Sequence, residues 1–174
     1  EGGSFHTDSP QWTRVPDFIG LCCINPAKKG GESKFVSVYK IHNEMLKLHK
    51  DDLILLYEKF HFDKRGEFVD GESPTVHEPI FKVEDNFLKC RYLRNYIDAG
   101  HTIQNLPLNK TQEQALDNFD KIIHDENNSA EYDLKKSDIT FFNNNRIIHG
   151  RTSFEDYEEN EKKRLMIRAW VKDN

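Results

Sequence analysis

The run Arg164-Leu-Met-Ile-Arg-Ala-Trp-Val-Lys172 constrains the fold more than any other part of the chain. It reads as a strand. Alternation places Leu165, Ile167, Ala169 and Val171 on one face, and Arg164, Met166, Arg168 and Trp170 on the other. Large apolar side chains on both faces predict a strand covered on both sides. An arginine in such a place needs an anion. That anion is either a carboxylate of the protein itself or a ligand carboxylate, whose two oxygens match the guanidinium fork.

The remaining pattern is mixed, strand-dominated and free of repeats. Phe18 to Ile24 is a short apolar run bounded by Pro16 and Pro26, hence a buried strand. Lys34 to Val38, Thr75 to Val83, Phe87 to Leu93 and Ile139 to Phe142 are further strand candidates, with Asp85-Asn86 as a hairpin turn. Val38, Ile41, Met45 and Leu48 have helical spacing over Val38 to Lys50, and Asp51 to Lys59 continues as helix. Thr111 opens a Thr-x-x-Gln capping box ahead of Leu116, Phe119 and Ile123. Asp125 to Glu131 reads as a polar loop. Phe154 to Lys163, with seven charged residues in ten, reads as an exposed, mobile excursion between two strands. No linker divides the 174 residues, so one domain over 1–174 is expected.

Charge narrows the choice of partners. A net charge of −5, with basic residues scattered among acids, argues against a nucleic-acid surface, which needs clustered Lys and Arg. The longest apolar run, Leu53 to Tyr57, is far shorter than the roughly 20 residues of a membrane span. Cys22, Cys23 and Cys90 are odd in number and sit in apolar runs, which fits reduced, buried thiols and a cytoplasmic protein. The chain starts at Glu1 rather than Met, so a targeting segment could be missing.

A possible metal site lies at the two ends of the chain. His6-Thr7-Asp8 follows Gly2-Gly3-Ser4-Phe5. In an extended stretch residues i and i+2 point the same way, so His6 and Asp8 converge while Thr7 faces away. An imidazole and a carboxylate are two-thirds of a facial triad, the arrangement that leaves positions open on iron(II). His149, within Asn143-Asn-Asn-Arg-Ile-Ile-His-Gly-Arg151, is the third ligand proposed; Gly150 after it lets the chain turn sharply. Taken alone, His149 reads as a satisfied strand-end histidine rather than a ligand, and His42, His49, His61, His77, His101 and His124 keep that reading.

Together these pieces resemble the taurine dioxygenase/TfdA family of iron(II)/2-oxoglutarate oxygenases. The resemblance rests on His-Thr-Asp, Gly30-Gly31-Glu32-Ser33, the Asn-Asn-Arg-x-x-His-Gly-Arg-Thr block and the Arg-Leu-Met-x-Arg strand. Arg91-Tyr-Leu-Arg-Asn-Tyr-Ile and His149-Gly-Arg-Thr-Ser-Phe-Glu-Asp are similar to the branch near the clavaminate synthase-like enzymes. It implies a mainly β double-stranded β-helix (a jelly-roll, cupin-like barrel) with flanking helices. It also implies that the chain is part of a longer protein lacking its N-terminal portion here, because family members carry a substantial segment before the His-x-Asp.

Carried over residue by residue, His6, Asp8 and His149 would hold Fe(2+). Arg168 matches the arginine that holds the distal carboxylate of 2-oxoglutarate. Arg164 matches a second arginine near the cosubstrate or its carboxylate at the metal. Ser33 stands where a hydroxyl often contacts the cosubstrate. Arg91, Tyr92, Arg94 and Asn95 lie in a strand-and-turn region that approaches the pocket in this branch; they read as a carboxylate or amino-acid contact, or equally as a solvated strand end. With O2 as the other cosubstrate, the implied reaction couples decarboxylation of 2-oxoglutarate, to succinate and CO2, with hydroxylation or related C–H oxidation of a small molecule. An amino acid or other small carboxylate is the first expectation for that substrate. The oligomeric state is not legible in the sequence. A non-catalytic cupin-like binding barrel is the alternative; retention of both metal and cosubstrate positions speaks against it. A structural zinc site is a third reading, but no Cys stands at suitable spacing for the fourth ligand.

Overall fold

Two antiparallel sheets face each other across the site. The computed structural model describes residues 3–173; Gly2, included above in the extended stretch, lies outside them with Glu1 and Asn174. In chain order the elements are β1 (Gly3–His6), β2 (Phe18–Asn25), β3 (Lys29–Gly30), β4 (Ser33–Ser37), α1 (Val38–Leu48), α2 (Lys50–Leu55), β5 (Lys59–Asp63), β6 (Thr75–Pro79), β7 (Phe81–Glu84) and β8 (Phe87–Cys90). Then come α3 (Arg94–Ile103), α4 (Lys110–His124), β9 (Ser129–Tyr132), β10 (Ile139–Asn143), β11 (Ile147–Arg151), β12 (Phe154–Glu155) and β13 (Leu165–Val171). The larger sheet runs β1-β11-β4-β9 and the smaller β10-β2-β13; three two-stranded pairs complete the set. The fold is mainly β with flanking helices. No helix among the described residues is long and apolar enough to cross a membrane.

The core lies behind the larger sheet. Phe5, Val36 and Ile148 join Val38, Ile41 and Met45 of α1 and Leu116, Phe119 and Ile123 of α4 in one buried cluster. Strand alternation then points their neighbours, among them His149, toward the smaller sheet. In β2 the alternation is regular: Ile19, Leu21 and Cys23 are buried, while Phe18, Gly20 and Cys22 are only partly so. Arg168 pairs with Leu21 and Trp170 with Ile19, which puts both on the inward face.

Several expectations are corrected. Among the described residues the final strand is covered on one side only, with Ile167 55% and Leu165 51% exposed beside Phe141 at 61% and Ile139 at 70%. The strand expected over Thr75 to Val83 breaks at the buried Ile80, and the one expected over Phe87 to Leu93 ends at Cys90. The capping box sits two residues earlier than expected. Asn109 Oδ1 accepts from the Gln112 amide (2.9 Å) and Gln112 Oε1 from the Asn109 amide (3.0 Å), so Asn109 rather than Thr111 starts α4. Helix α3 replaces the turn expected after Arg91. It packs so closely on β5 that a Cβ on Gly100 would lie 2.3 Å from the His61 carbonyl oxygen, and only glycine fits there. The polar segment after Asp125 ends in strand β9. The charged segment is exposed from Glu158 to Lys163 but anchored at both ends, by β12 pairing with β3 and by Asp156 Oδ1 accepting from the Arg164 amide at 2.7 Å.

Candidate metal centre

Strand register brings the two histidines together. His6, the last residue of β1, is the cross-strand partner of His149 in β11, and their ring centroids lie 4.3 Å apart. Gly150 does not turn the chain as expected. It lies inside β11, where a Cβ would stand 3.1 Å from the Phe5 ring and 3.3 Å from the Gly3 carbonyl oxygen. Close packing is therefore the reason for a glycine there.

Asp8 completes the cluster two residues after His6. Its Oδ1 lies 3.3 Å from His6 Nε2 and 3.5 Å from His149 Nε2, and the three ligand atoms fall within 4.8 Å of one another. Thr7 faces away, as alternation requires: its Oγ1 accepts from the Tyr92 amide at 3.0 Å. Asn144 clamps the Asp8 backbone from both sides. Its Oδ1 accepts from the Asp8 amide (2.7 Å) and its Nδ2 donates to the Asp8 carbonyl (3.0 Å) and the Pro16 carbonyl (3.0 Å).

The donor set suits a cation. His6 Nδ1 donates to the Ser4 carbonyl at 2.7 Å, which leaves the Nε2 lone pair free toward Asp8. Both ring nitrogens of the buried His149 lack a hydrogen-bond partner. A buried polar atom without a partner is costly, and a metal on Nε2 would supply the missing partner there. Burial, helped by the nearby His6, pushes the His149 pKa down, so the ring is neutral and able to ligate. Burial alone would raise Asp8. Its contacts with His6 and His149, the Trp170 hydrogen bond and the Arg168 guanidinium outweigh it and hold the carboxyl at about 2.

Beside this cluster opens a cavity of about 280 Å³. Ser33, Arg164 and Arg168 all line it, together with Met166 and Arg151. Arg168 donates to Asp8 Oδ1 at 2.8 Å, and Trp170 Nε1 donates to Asp8 Oδ2 at 2.7 Å. Arg168 is thus paired to a protein carboxylate at the cluster itself. Arg164 lies four residues back along the strand, about 13 Å of backbone, with its guanidinium 5.4 Å from the Phe154 ring.

The residues expected to meet a substrate are otherwise engaged. Arg91 donates to the Pro10 and Trp12 carbonyls, both at 2.8 Å. The Tyr92 ring is buried, with its hydroxyl on Asp120. Arg94 bridges Asp98 (3.0 Å), Asp117 (2.9 Å) and Asp120 (2.8 Å), and Asn95 is exposed in the first turn of α3. None of the four lines the cavity beside His149. Sequence reasoning missed two residues that do touch the cluster. Asn144 stands inside the Asn-Asn-Arg motif, which gives it no role of its own. Trp170 was placed on the correct face without a role.

A mainly β fold that gathers two imidazoles and one carboxylate beside an arginine-lined cavity defines a class, that of jelly-roll-like folds with a candidate metal centre. Within it, the chain belongs to the taurine catabolism dioxygenase TauD, TfdA family, whose model matches residues 1–170. It is 32% identical over 165 residues to FR-33289 synthase of Streptomyces rubellomurinus, covering 93% of this chain and 49% of that protein. It is 29% identical over 168 residues to the taurine hydroxylase-like protein SAT17 of Stachybotrys chartarum, covering 94% and 40%. The chain therefore spans half or less of the length of these relatives. Among solved structures, asparagine oxygenase superposes with a TM-score of 0.76 at 16% identity, over 97% of this chain and 49% of that one. The non-heme iron oxygenase OrfP superposes with a TM-score of 0.72 at 14% identity, over 100% and 52%. At such identities the likeness is one of fold.

Proposed function

We propose that this chain carries the metal and cosubstrate site of an iron(II)/2-oxoglutarate-dependent dioxygenase that hydroxylates a small molecule. The observation that carries the reading is the buried His149 imidazole, with no hydrogen-bond partner, converging with His6 and Asp8 on one point. Two imidazoles and a carboxylate on one side of iron(II) leave positions open for a chelating keto acid and for oxygen. Iron(II) with 2-oxoglutarate and O2 would supply the oxidising chemistry, coupled to formation of succinate and CO2. Support comes from related structures: asparagine oxygenase has been solved with Fe(II), a hydroxyasparagine and succinate, and OrfP with Fe and alpha-ketoglutaric acid.

The protein's own contribution is placement. Asn144 fixes the backbone of Asp8, and strand pairing fixes the two histidines. The cavity along Met166 and Leu21 gives the cosubstrate a partly desolvated trough. Geometry favours a division of labour between the arginines that exchanges the roles implied by the resemblance. Arg168 touches Asp8 and so stands by the carboxylate nearer the metal. Arg164, with Ser33, is placed for the distal carboxylate at the far end. An amino acid or similar small carboxylate is the substrate class we favour. Its contacts are sought around the cavity mouth rather than at Arg91 or Arg94, whose guanidiniums already have protein partners.

The test is anaerobic titration of the protein with iron(II) and 2-oxoglutarate, reading the visible charge-transfer absorption of a metal-chelated keto acid. Wild type is expected to develop the band and His149→Ala to lose it. A folded wild type that binds no iron overturns the reading.

A further inference from the structure

Asp8 offers two oxygens, and the structure treats them differently. Oδ1 faces the imidazoles, 3.3 Å from His6 Nε2 and 3.5 Å from His149 Nε2, and also accepts from Arg168 at 2.8 Å. Oδ2 accepts from Trp170 Nε1 at 2.7 Å. Resting on the functional reading above, we propose that Trp170 is a positioning residue for the metal: its indole N–H holds Oδ2 of Asp8, so that Oδ1 alone faces the metal position.

Three features support this role. An indole N–H only donates and carries no charge, so it orients the carboxylate without neutralising it. Trp170 is 51% exposed, and so large a ring left half in water contributes little as core packing; its hydrogen bond is the feature the site uses. The ring is also braced. Trp12 packs edge-on against it with centroids 5.2 Å apart, and Trp12 Nε1 donates to Glu67 Oε2 at 2.6 Å.

The consequence is stoichiometric. A carboxylate free to swing could bind through both oxygens and take one of the three positions that the proposed reaction leaves open. A donor locked on Oδ2 keeps Asp8 a one-oxygen ligand. Partners of metal ligands commonly contribute ten- to hundredfold to metal affinity.

The test uses Co(II) alone as probe, with Trp170→Phe and Trp12→Phe beside wild type. Trp170→Phe keeps an aromatic ring against Trp12 while removing the indole N–H. It is expected to weaken Co(II) binding by about tenfold or more and to alter the visible spectrum of the bound ion, while the metal-free protein stays folded with a somewhat lower melting temperature. Trp12→Phe is expected to bind Co(II) as wild type does. A second, metal-free measurement follows the indole N–H resonances of the two tryptophans: Asp8→Ala should move that of Trp170 and leave that of Trp12. Unchanged Co(II) affinity and spectrum in Trp170→Phe overturn the inference while leaving the metal site intact, as does a Trp170 resonance indifferent to Asp8→Ala. Absence of Co(II) and iron(II) binding in wild type overturns the functional reading as well.

Discussion

Asn144 holds Asp8 by its backbone, with its carboxamide oxygen 2.7 Å from the Asp8 amide and its nitrogen 3.0 Å from the Asp8 carbonyl oxygen. The metal-ligand geometry therefore depends on a side chain from the β10–β11 turn that touches no imidazole. Asn144→Ala leaves the Asp8 amide, the Asp8 carbonyl and the Pro16 carbonyl short of partners in a buried place. One unsatisfied buried group costs about 1–3 kcal/mol. The variant should melt about 4–8 °C lower, for a loss of about 2 kcal/mol, and should bind iron(II) more weakly. Calorimetry of the metal-free protein checks the first and titration the second; wild-type values in both would remove the clamp from the account.

The two arginines of the last strand should separate by readout. Arg164→Ala removes charge-assisted hydrogen bonds from the distal end of the cosubstrate, worth about 2–3 kcal/mol. That is roughly a thirty- to hundredfold weaker affinity for 2-oxoglutarate, with metal binding unchanged when the cosubstrate is absent. Arg168→Ala should disturb metal binding itself, because it strips a donor from Asp8 Oδ1. Parallel titrations of metal alone, then of 2-oxoglutarate into loaded protein, decide whether the arginines divide the work in this way.

Acid should destabilise the metal-free protein in a defined window. The folded pKa of His149 is lowered, so the unfolded chain takes up a proton that the folded chain refuses. This contribution to stability is present above the ordinary histidine value of about 6.5 and is lost as pH falls below it. His42 and His61, also lowered by burial, add in the same direction. His149→Gln should therefore show a shallower fall of melting temperature with pH below about 6.5. Equal slopes for variant and wild type would contradict the assigned cause.

The open face of the small sheet should bind apolar probes. Ile139, Phe141 and Ile167 project there with more than half of each side chain in water, and contiguous exposed patches of this kind are uncommon on soluble monomers. The 174-residue chain should enhance the fluorescence of anilinonaphthalene sulfonate. A Phe141→Lys, Ile167→Lys double variant should lose most of that enhancement and keep its metal affinity. Undiminished fluorescence would place the dye elsewhere.

What could be read in the sequence was whatever local geometry carries. The two-residue spacing of His6 and Asp8 was legible because strand alternation is a local rule, and the apolar spacing of α1 because helix periodicity is. Pairing between distant strands is not local. That His6 meets His149 followed from the family resemblance, not from either segment. Helix α3 was hidden because its first turn, Arg94-Asn95-Tyr96, carries no N-terminal capping side chain and so no start signal. Asp98 meets Arg94 at helical spacing within α3, but Asp117 and Asp120 reach it from α4, whose placement no spacing reveals. The last strand differs again. Its apolar outward residues call for a cover that none of the described residues supplies, because burial is a property of neighbours and not of the strand itself.

The pairing of His6 with His149 also bears on how the molecule comes apart. Among the described residues, strand β1 is an edge strand of four residues with β11 as its sheet neighbour, and weakly held edges fray early in a folded protein. An ion shared by β1, the loop carrying Asp8 and β11 would act as a rivet across that weak seam. Chelation would then do more than empty a site. It would free β1 to separate from β11, turning the availability of a metal into a local lifetime, legible as faster amide exchange along Ser4, Phe5 and His6 before any other part of the sheet responds.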